Sequence, residues 1–288
     1  MLPALLFIDG GSGRIVYGDD GPQAIILEQQ GDFTGRLFML FHGYNGHGKN
    51  LVDILGPALV SRGTVVAFES SPSNYDDDRI EDLAQNIIDK RKPTRLALYG
   101  ESFGGMAIMD LLRSNPELHP EVVVFNATPS SASNIKLGGA LLSVFNAELL
   151  LHGGPGSTEL LQWQQAQDMQ TVPSPEPGSN EKARQQAYKA YRGITGPIFS
   201  DELRYMGNFQ PPSPGEFAGR TSSVHYLRAP SASDQIVKTA ASATVLRHAF
   251  SDAVFQETTV PSWAPDLHAP TAERPGPLIA TLLAASSA

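Results

Sequence analysis

The residues best suited to chemistry stand in Gly100-Glu101-Ser102-Phe103-Gly104. A serine hydroxyl is a weak nucleophile at neutral pH. It needs a base to take its proton, and N–H donors to hold the oxyanion formed when it attacks a carbonyl. The apolar run at 96–99 leads directly into this pentapeptide, and residues 104–113 continue it with helical spacing. A sharp strand-to-helix turn of this kind holds a nucleophile at a strained backbone angle, and only glycine fits two positions to either side. Gly100 and Gly104 supply that space, and Gly105 lets the helix approach the sheet. The plainer role for Ser102 is to cap the helix; the strand in front and the paired glycines favour the nucleophile. The N–H of Phe103, at the helix start, is the first candidate oxyanion donor. The second is the N–H of Tyr44, in the turn His42-Gly43-Tyr44-Asn45-Gly46 that follows the apolar run at 37–41. His42 and His47 could also pair on a metal, but no third ligand recurs nearby, so no metal is expected.

These residues need a scaffold, and the hydrophobic pattern describes one. Residues 4–8 and 14–18 flank Asp9-Gly10-Gly11-Ser12-Gly13, which reads as a hairpin turn, and 24–27 forms a further short strand. The runs at 37–41, 64–68, 96–99 and 122–125 are nearly continuous in apolar residues, as in strands buried on both faces of a parallel sheet. Between them, 50–62, 78–90 and 104–113 repeat apolar residues at helical spacing. Three βα units in series predict an α/β fold, a doubly wound and mostly parallel sheet with right-handed crossovers. The alternation stops near 130 and resumes with strand 224–228, helix 237–250, strand 254–259 and a helix over 272–285. The interval holds predicted helices at 137–151, 158–169 and 181–192, with Pro-rich loops at 172–178 and 210–215. The chain therefore divides into a core, 1–129 and 221–288, and a helical cap or lid, 130–220, inserted between two halves of one sheet.

Composition removes several other classes. The chain has 288 residues, 41% of them hydrophobic, enough to bury a sizeable core. Its formal charge is −9 and it has no cluster of Lys and Arg, so no nucleic-acid partner and no anionic lipid surface is expected. The absence of cysteine excludes disulfides, cysteine nucleophiles, iron–sulfur clusters and thiolate zinc sites. The apolar start, 1–8, ends at Asp9 with the first basic residue, Arg14, behind it, which reads as a strand rather than a signal peptide. No apolar run is long enough for a membrane span, and a cytoplasmic location is expected. None of these patterns fixes an oligomeric state.

The motifs and their order resemble the α/β-hydrolase superfamily over nearly the whole chain. His-Gly-x stands after the third sheet strand, Gly-x-Ser-x-Gly after the fifth, and a helical cap after the sixth. The resemblance implies an acid after the strand that follows the cap, and a histidine after the last strand. Asp234, in the loop after 224–228, fits the acid position. Asp252 precedes the final strand instead of following one, and Asp266 lies beside the candidate histidine. Some relatives place the acid after the preceding strand, where Asn126 stands and offers no carboxylate. Of the seven histidines, His268 follows the last strand and precedes a terminal helix. By acyl-transfer logic Ser102 attacks, His268 relays its proton, and Asp234 orients the imidazole.

A serine at the elbow implies acyl chemistry, whereas dehalogenases and epoxide hydrolases of this superfamily use aspartate. The apolar stretch 137–151 either packs on the sheet or lines a pocket under a lid. The expected function is a serine esterase acting on a small or medium apolar ester, without metal or cofactor. Thioester, lactone or carbon–carbon-bond hydrolysis would use the same residues. A ligand-binding protein with little turnover is the alternative of a different class. Two further motifs carry less. His152-Gly153-Gly154-Pro155-Gly156 matches a peptidase oxyanion motif of the superfamily but comes after the serine, where a loop is expected. Asp76-Asp77-Asp78 reads as charge–dipole capping of a helix.

Overall fold

The computed structural model describes residues 5–8, 12–16, 21–29, 35–44, 46–71, 74–136, 196–228, 237–260 and 276–285. Among them are nine strands in a single sheet. Strands β1 (Leu5–Ile8), β2 (Ser12–Val16) and β3 (Gln23–Leu27) form an antiparallel ribbon at one edge. The remaining six are parallel to one another: β4 (Arg36–Phe41), β5 (Thr64–Glu69), β6 (Arg95–Glu101), β7 (Val122–Asn126), β8 (Ser223–Arg228) and β9 (Val254–Thr259). The order is β1-β2-β3-β5-β4-β6-β7-β8-β9, with β3 antiparallel to β5. The sheet is thus doubly wound about β4. Connections leave β4 toward β5 on one side and return to β6 on the other, and the carboxyl ends of β4 and β6 form the switch point where such sheets bind ligands.

Helices α1 (Gly48–Leu59), α2 (Asp77–Arg91) and α3 (Phe103–Ser114) join β4 to β5, β5 to β6 and β6 to β7. A 3₁₀ turn, Ala132–Asn134, follows β7. Helices α4 (Gly196–Asn208), α5 (Thr239–Ala249) and α6 (Gly276–Ala284) complete the described set. The helices begin and end close to the expected positions. The hairpin differs: β2 starts at Ser12, so Gly13, expected in the turn, pairs with Phe7. The predicted cap helices at 137–151, 158–169 and 181–192 lie outside the described residues, whereas α4 occupies a stretch where no element was expected.

Side-chain alternation along the strands divides the core in two. Leu37, Met39 and Phe41, with Leu96, Leu98, Val123 and Phe125, face α2, α3, α4 and α5. Phe38 and Leu40, with Ala97, Tyr99, Val122 and Val124, face α1 and α6. Each of these strand residues is at most 5% exposed, so the strands are sealed on both faces. That explains why they read as unbroken apolar runs. Full burial of each large aliphatic or aromatic side chain contributes roughly 1.5–3 kcal/mol. α2 is capped as its sequence implies: Asp76 accepts the Arg79 N–H at 3.1 Å. Among the described residues no helix is long and apolar enough to cross a membrane.

Candidate active site

Ser102 joins β6 to α3 with φ 46° and ψ −113°. A positive φ at a residue with a Cβ costs on the order of 1–3 kcal/mol and persists only where the surroundings enforce it. Here they do. The Ser102 N–H donates to the Asn126 carbonyl at 2.7 Å, and the Gly105 N–H donates to the Ser102 carbonyl at 3.1 Å. The chain turns so tightly that a Cβ on Gly100 would lie 2.5 Å from the Gly105 Cα. One on Gly104 would lie 2.3 Å from the Phe41 carbonyl oxygen, and one on Gly105 would lie 2.1 Å from the Thr128 Oγ1. Although Ser102 stands at the N-cap position of α3, its side chain makes no capping bond. The plain helix-cap role is therefore absent, and the strained serine needs another reason to be there.

The loop after β4 lies against this turn. A Cβ on Gly43 would stand 3.5 Å from the Ser102 Cβ and 3.4 Å from the Glu101 carbonyl oxygen. Tyr44 follows in the same loop, and Phe103 carries the first amide of α3, which has no carbonyl partner within its own helix. The His42 ring is buried, with Nδ1 2.8 Å from the Gly43 carbonyl oxygen. Burial lowers its pKa, against a smaller opposing pull from Glu69, so the ring stays neutral and braces its own loop. Asn126 donates from Nδ2 to the Tyr99 hydroxyl at 3.0 Å. The next residue, Ala127, also has a positive φ, 49°, and its N–H donates to the Leu227 carbonyl at 2.8 Å.

An aromatic wall stands beside the serine, with no local sequence pattern to mark it. The Phe103 ring meets Tyr75 at 4.8 Å and Tyr205 of α4 at 5.1 Å, both edge-on. The Tyr205 hydroxyl donates to Asp110 of α3 at 2.5 Å. Burial first, and neighbouring acidic groups second, push both tyrosine hydroxyls well above their ordinary pKa, so they remain neutral. Glu69 touches the loop after β4 from the end of β5. No local periodicity signals either feature, because both join residues from separate elements.

Asp234 and His268 lie outside the described residues. β8 ends at Arg228 and description resumes at Val237; β9 ends at Thr259 and description resumes at Gly276. The other described histidines and the rival Asp252 have evident places. His119 and His248 precede β7 and β9, so they sit at the strand starts, the edge opposite Ser102. Asp252 shares that edge and accepts the Ser251 hydroxyl at 3.2 Å. His225 lies within β8, its Nε2 3.0 Å from the Ser223 Oγ, with its pKa lowered by burial. Nδ1 of His47 lies 3.2 Å from Glu69. Among the described residues no group of three ligand-type side chains could hold a metal ion.

Compared with known proteins, the chain matches no protein-family model, and no curated protein matches its sequence. Solved structures do match its shape. MenH from S. aureus is 14% identical with a TM-score of 0.66, over 90% of this chain and 97% of that one. A structure from a study of carboxylesterases of Nitrososphaera gargenis is 9% identical with a TM-score of 0.61, over 85% and 89%. A thermophilic esterase from Thermogutta terrifontis is 10% identical with a TM-score of 0.59, over 90% of each chain.

Proposed function

For a chain with the α/β-hydrolase fold, we propose that this protein is a serine hydrolase cleaving carboxylic esters of small or medium apolar substrates. Ser102 Oγ attacks the ester carbonyl as its proton passes to the His268 imidazole, which Asp234 orients. The N–H groups of Tyr44 and Phe103 receive the oxyanion. Collapse expels the alcohol, which takes the proton from His268. Water then repeats the sequence on the acyl-enzyme and frees Ser102. The reaction needs no cofactor. The observation that carries this reading is the backbone of Ser102, held at φ 46° beside the Gly43 loop while capping nothing.

The places of the other described histidines, away from Ser102 or engaged with their own loops, support His268. Asp234 follows β8 in the chain and His268 follows β9, both strands parallel to β6. We take residues 130–220 as a cap, with α4 resting Tyr205 on Phe103 and the apolar stretch 137–151 contributing to an acyl or alcohol pocket.

Labelling with a fluorophosphonate probe, wild type beside Ser102→Ala, tests the nucleophile, and a series of p-nitrophenyl esters sizes the pocket. The wild type should label and turn over. Ser102→Ala should lose the label and about 10⁴-fold or more of kcat. A folded wild type that neither labels nor hydrolyses any ester in the series would overturn the reading in favour of a binding protein.

A further inference from the structure

The loop that carries Tyr44 lacks support from its own sequence. Helix α1 begins with His47 at the N-cap position, yet His47 makes no side-chain cap bond and the first turn contains no acidic residue. A helix start in that state presents unbonded amides and partial positive charge. The missing carboxylate arrives from another strand. Glu69, the last residue of β5, accepts the Lys49 N–H on Oε1 at 2.8 Å and meets Nδ1 of His47 on Oε2 at 3.2 Å. Its side chain is 14% exposed. Burial alone would raise its pKa, but the His47 bond, the two nearby imidazoles and the Lys49 amide outweigh burial and hold it below the usual carboxylate range. Glu69 is therefore ionised and can only accept, so Nδ1 of His47 is the donor between them.

Both carboxylate oxygens serve the same short segment. α1 has no slack there, since a Cβ on Gly48 would lie 2.3 Å from the Phe68 carbonyl oxygen. At the other end of the loop the His42 ring lies against the Gly43 carbonyl, which also accepts the Gly46 N–H at 2.9 Å. Tyr44 sits between these two anchors, next to the Gly43 that touches the serine turn.

We propose that Glu69 is a positioning residue for ester hydrolysis: its carboxylate braces the loop between β4 and α1 and so keeps the Tyr44 N–H aimed at the oxyanion. The inference rests on the reading of Ser102 as nucleophile and Tyr44 as donor. A displaced donor weakens transition-state binding more than substrate binding, so the effect falls on kcat and spares KM. A mere helix cap would lower stability and leave kcat of the folded enzyme unchanged.

The test compares wild type, Glu69→Ala and Glu69→Gln for kcat and KM on p-nitrophenyl butyrate. Phenylboronic acid, which forms a tetrahedral adduct on an active serine, reports the oxyanion site, and thermal unfolding reports stability. Glu69→Ala should lose about 10–100-fold in kcat with KM within about threefold, and boronate affinity should fall in parallel. Glu69→Gln should recover most of the loss, because its amide oxygen still accepts the Lys49 N–H and its NH₂ can face the other tautomer of His47. If Glu69→Ala melts lower but keeps kcat and boronate affinity within about twofold, Glu69 is only a cap and the proposal falls. If the wild type itself neither labels with the fluorophosphonate nor hydrolyses the ester, the underlying assignment of Ser102 fails instead.

Discussion

At the edge where β4, β6 and β7 begin, polar groups bind separate elements to one another. Arg36, 7% exposed, donates to the Ala284 carbonyl at the end of α6 at 2.8 Å and to Glu121 at 2.7 Å. Arg95 meets the other oxygen of Glu121 at 2.5 Å. Arg220 reaches the Leu112 and Leu118 carbonyls at 3.0 Å each, and also that of Asn115, gathering the end of α3 and the turn that follows it. At the edge where the same strands end, the backbone itself is forced. Ser102 and Ala127 both hold positive φ, Gly46, Gly48, Gly100, Gly104 and Gly105 leave no room for a Cβ, and His42 is buried against its own loop. Lys92, the other non-glycine with positive φ among the described residues, is an ordinary left-handed helix stop with ψ 57°. One edge concentrates interactions that lower the free energy of the fold, and the other holds strain that the rest of the fold must offset. The difference teaches where chemistry is to be sought.

If that contrast is sound, equal losses of stability at the two edges should have unequal effects on activity. The largest effect is expected for Gly104→Ala, whose new methyl would press on the Phe41 and His42 carbonyls at 2.3 and 2.5 Å. It should cost more than about 3 kcal/mol in urea unfolding and lower turnover even per folded molecule. Arg36→Met comes next. It removes one partner from a buried charged group and should cost about 3 kcal/mol, yet leave kcat per folded molecule within a factor of about two. A comparable loss of kcat in both variants would dissolve the contrast.

The smallest effect sharpens the picture at the flank. Burial, with help from Asp110, Asp77 and Asp78, pushes the Glu81 carboxyl up to about 7. Below its ordinary value of 4.5 the group is neutral folded or unfolded, and nothing is lost. As pH rises from there to about 7 the unfolded chain ionises first, so stability falls, and above that range the penalty is complete. Glu81→Gln removes it. Melting curves should show a gain of about 1 kcal/mol at pH 8, after discounting for the solvent that reaches this half-buried side chain, and none at pH 4.

The parallel core was legible because strands sealed on both faces become unbroken apolar runs and their helices keep a 3.6 period. The serine turn was legible because its steric demand selects glycine at fixed distances in the chain. Two kinds of feature were not. The antiparallel pairing of β3 with β5, with β4 beyond it, joins strands far apart in sequence and leaves no local mark. α4 escaped because its amphipathic stretch opens on Gly196-Pro197 and sits beside a proline-rich loop. Glu69 and Tyr205 escaped for the same reason as β3, since each acts on a partner brought near only by folding. Asp234 and His268 rest on chain order alone, after β8 and after β9.

The left-handed turn at Ser102 bears on any attempt to improve this protein by selection. Glycine relaxes at such angles and serine does not. A screen for heat resistance alone would therefore accept glycine at 102 as an improvement and discard the proposed nucleophile among its first gains, a trade that sequencing the survivors would reveal. Libraries built for durability should leave this position fixed and draw their diversity from the opposite edge.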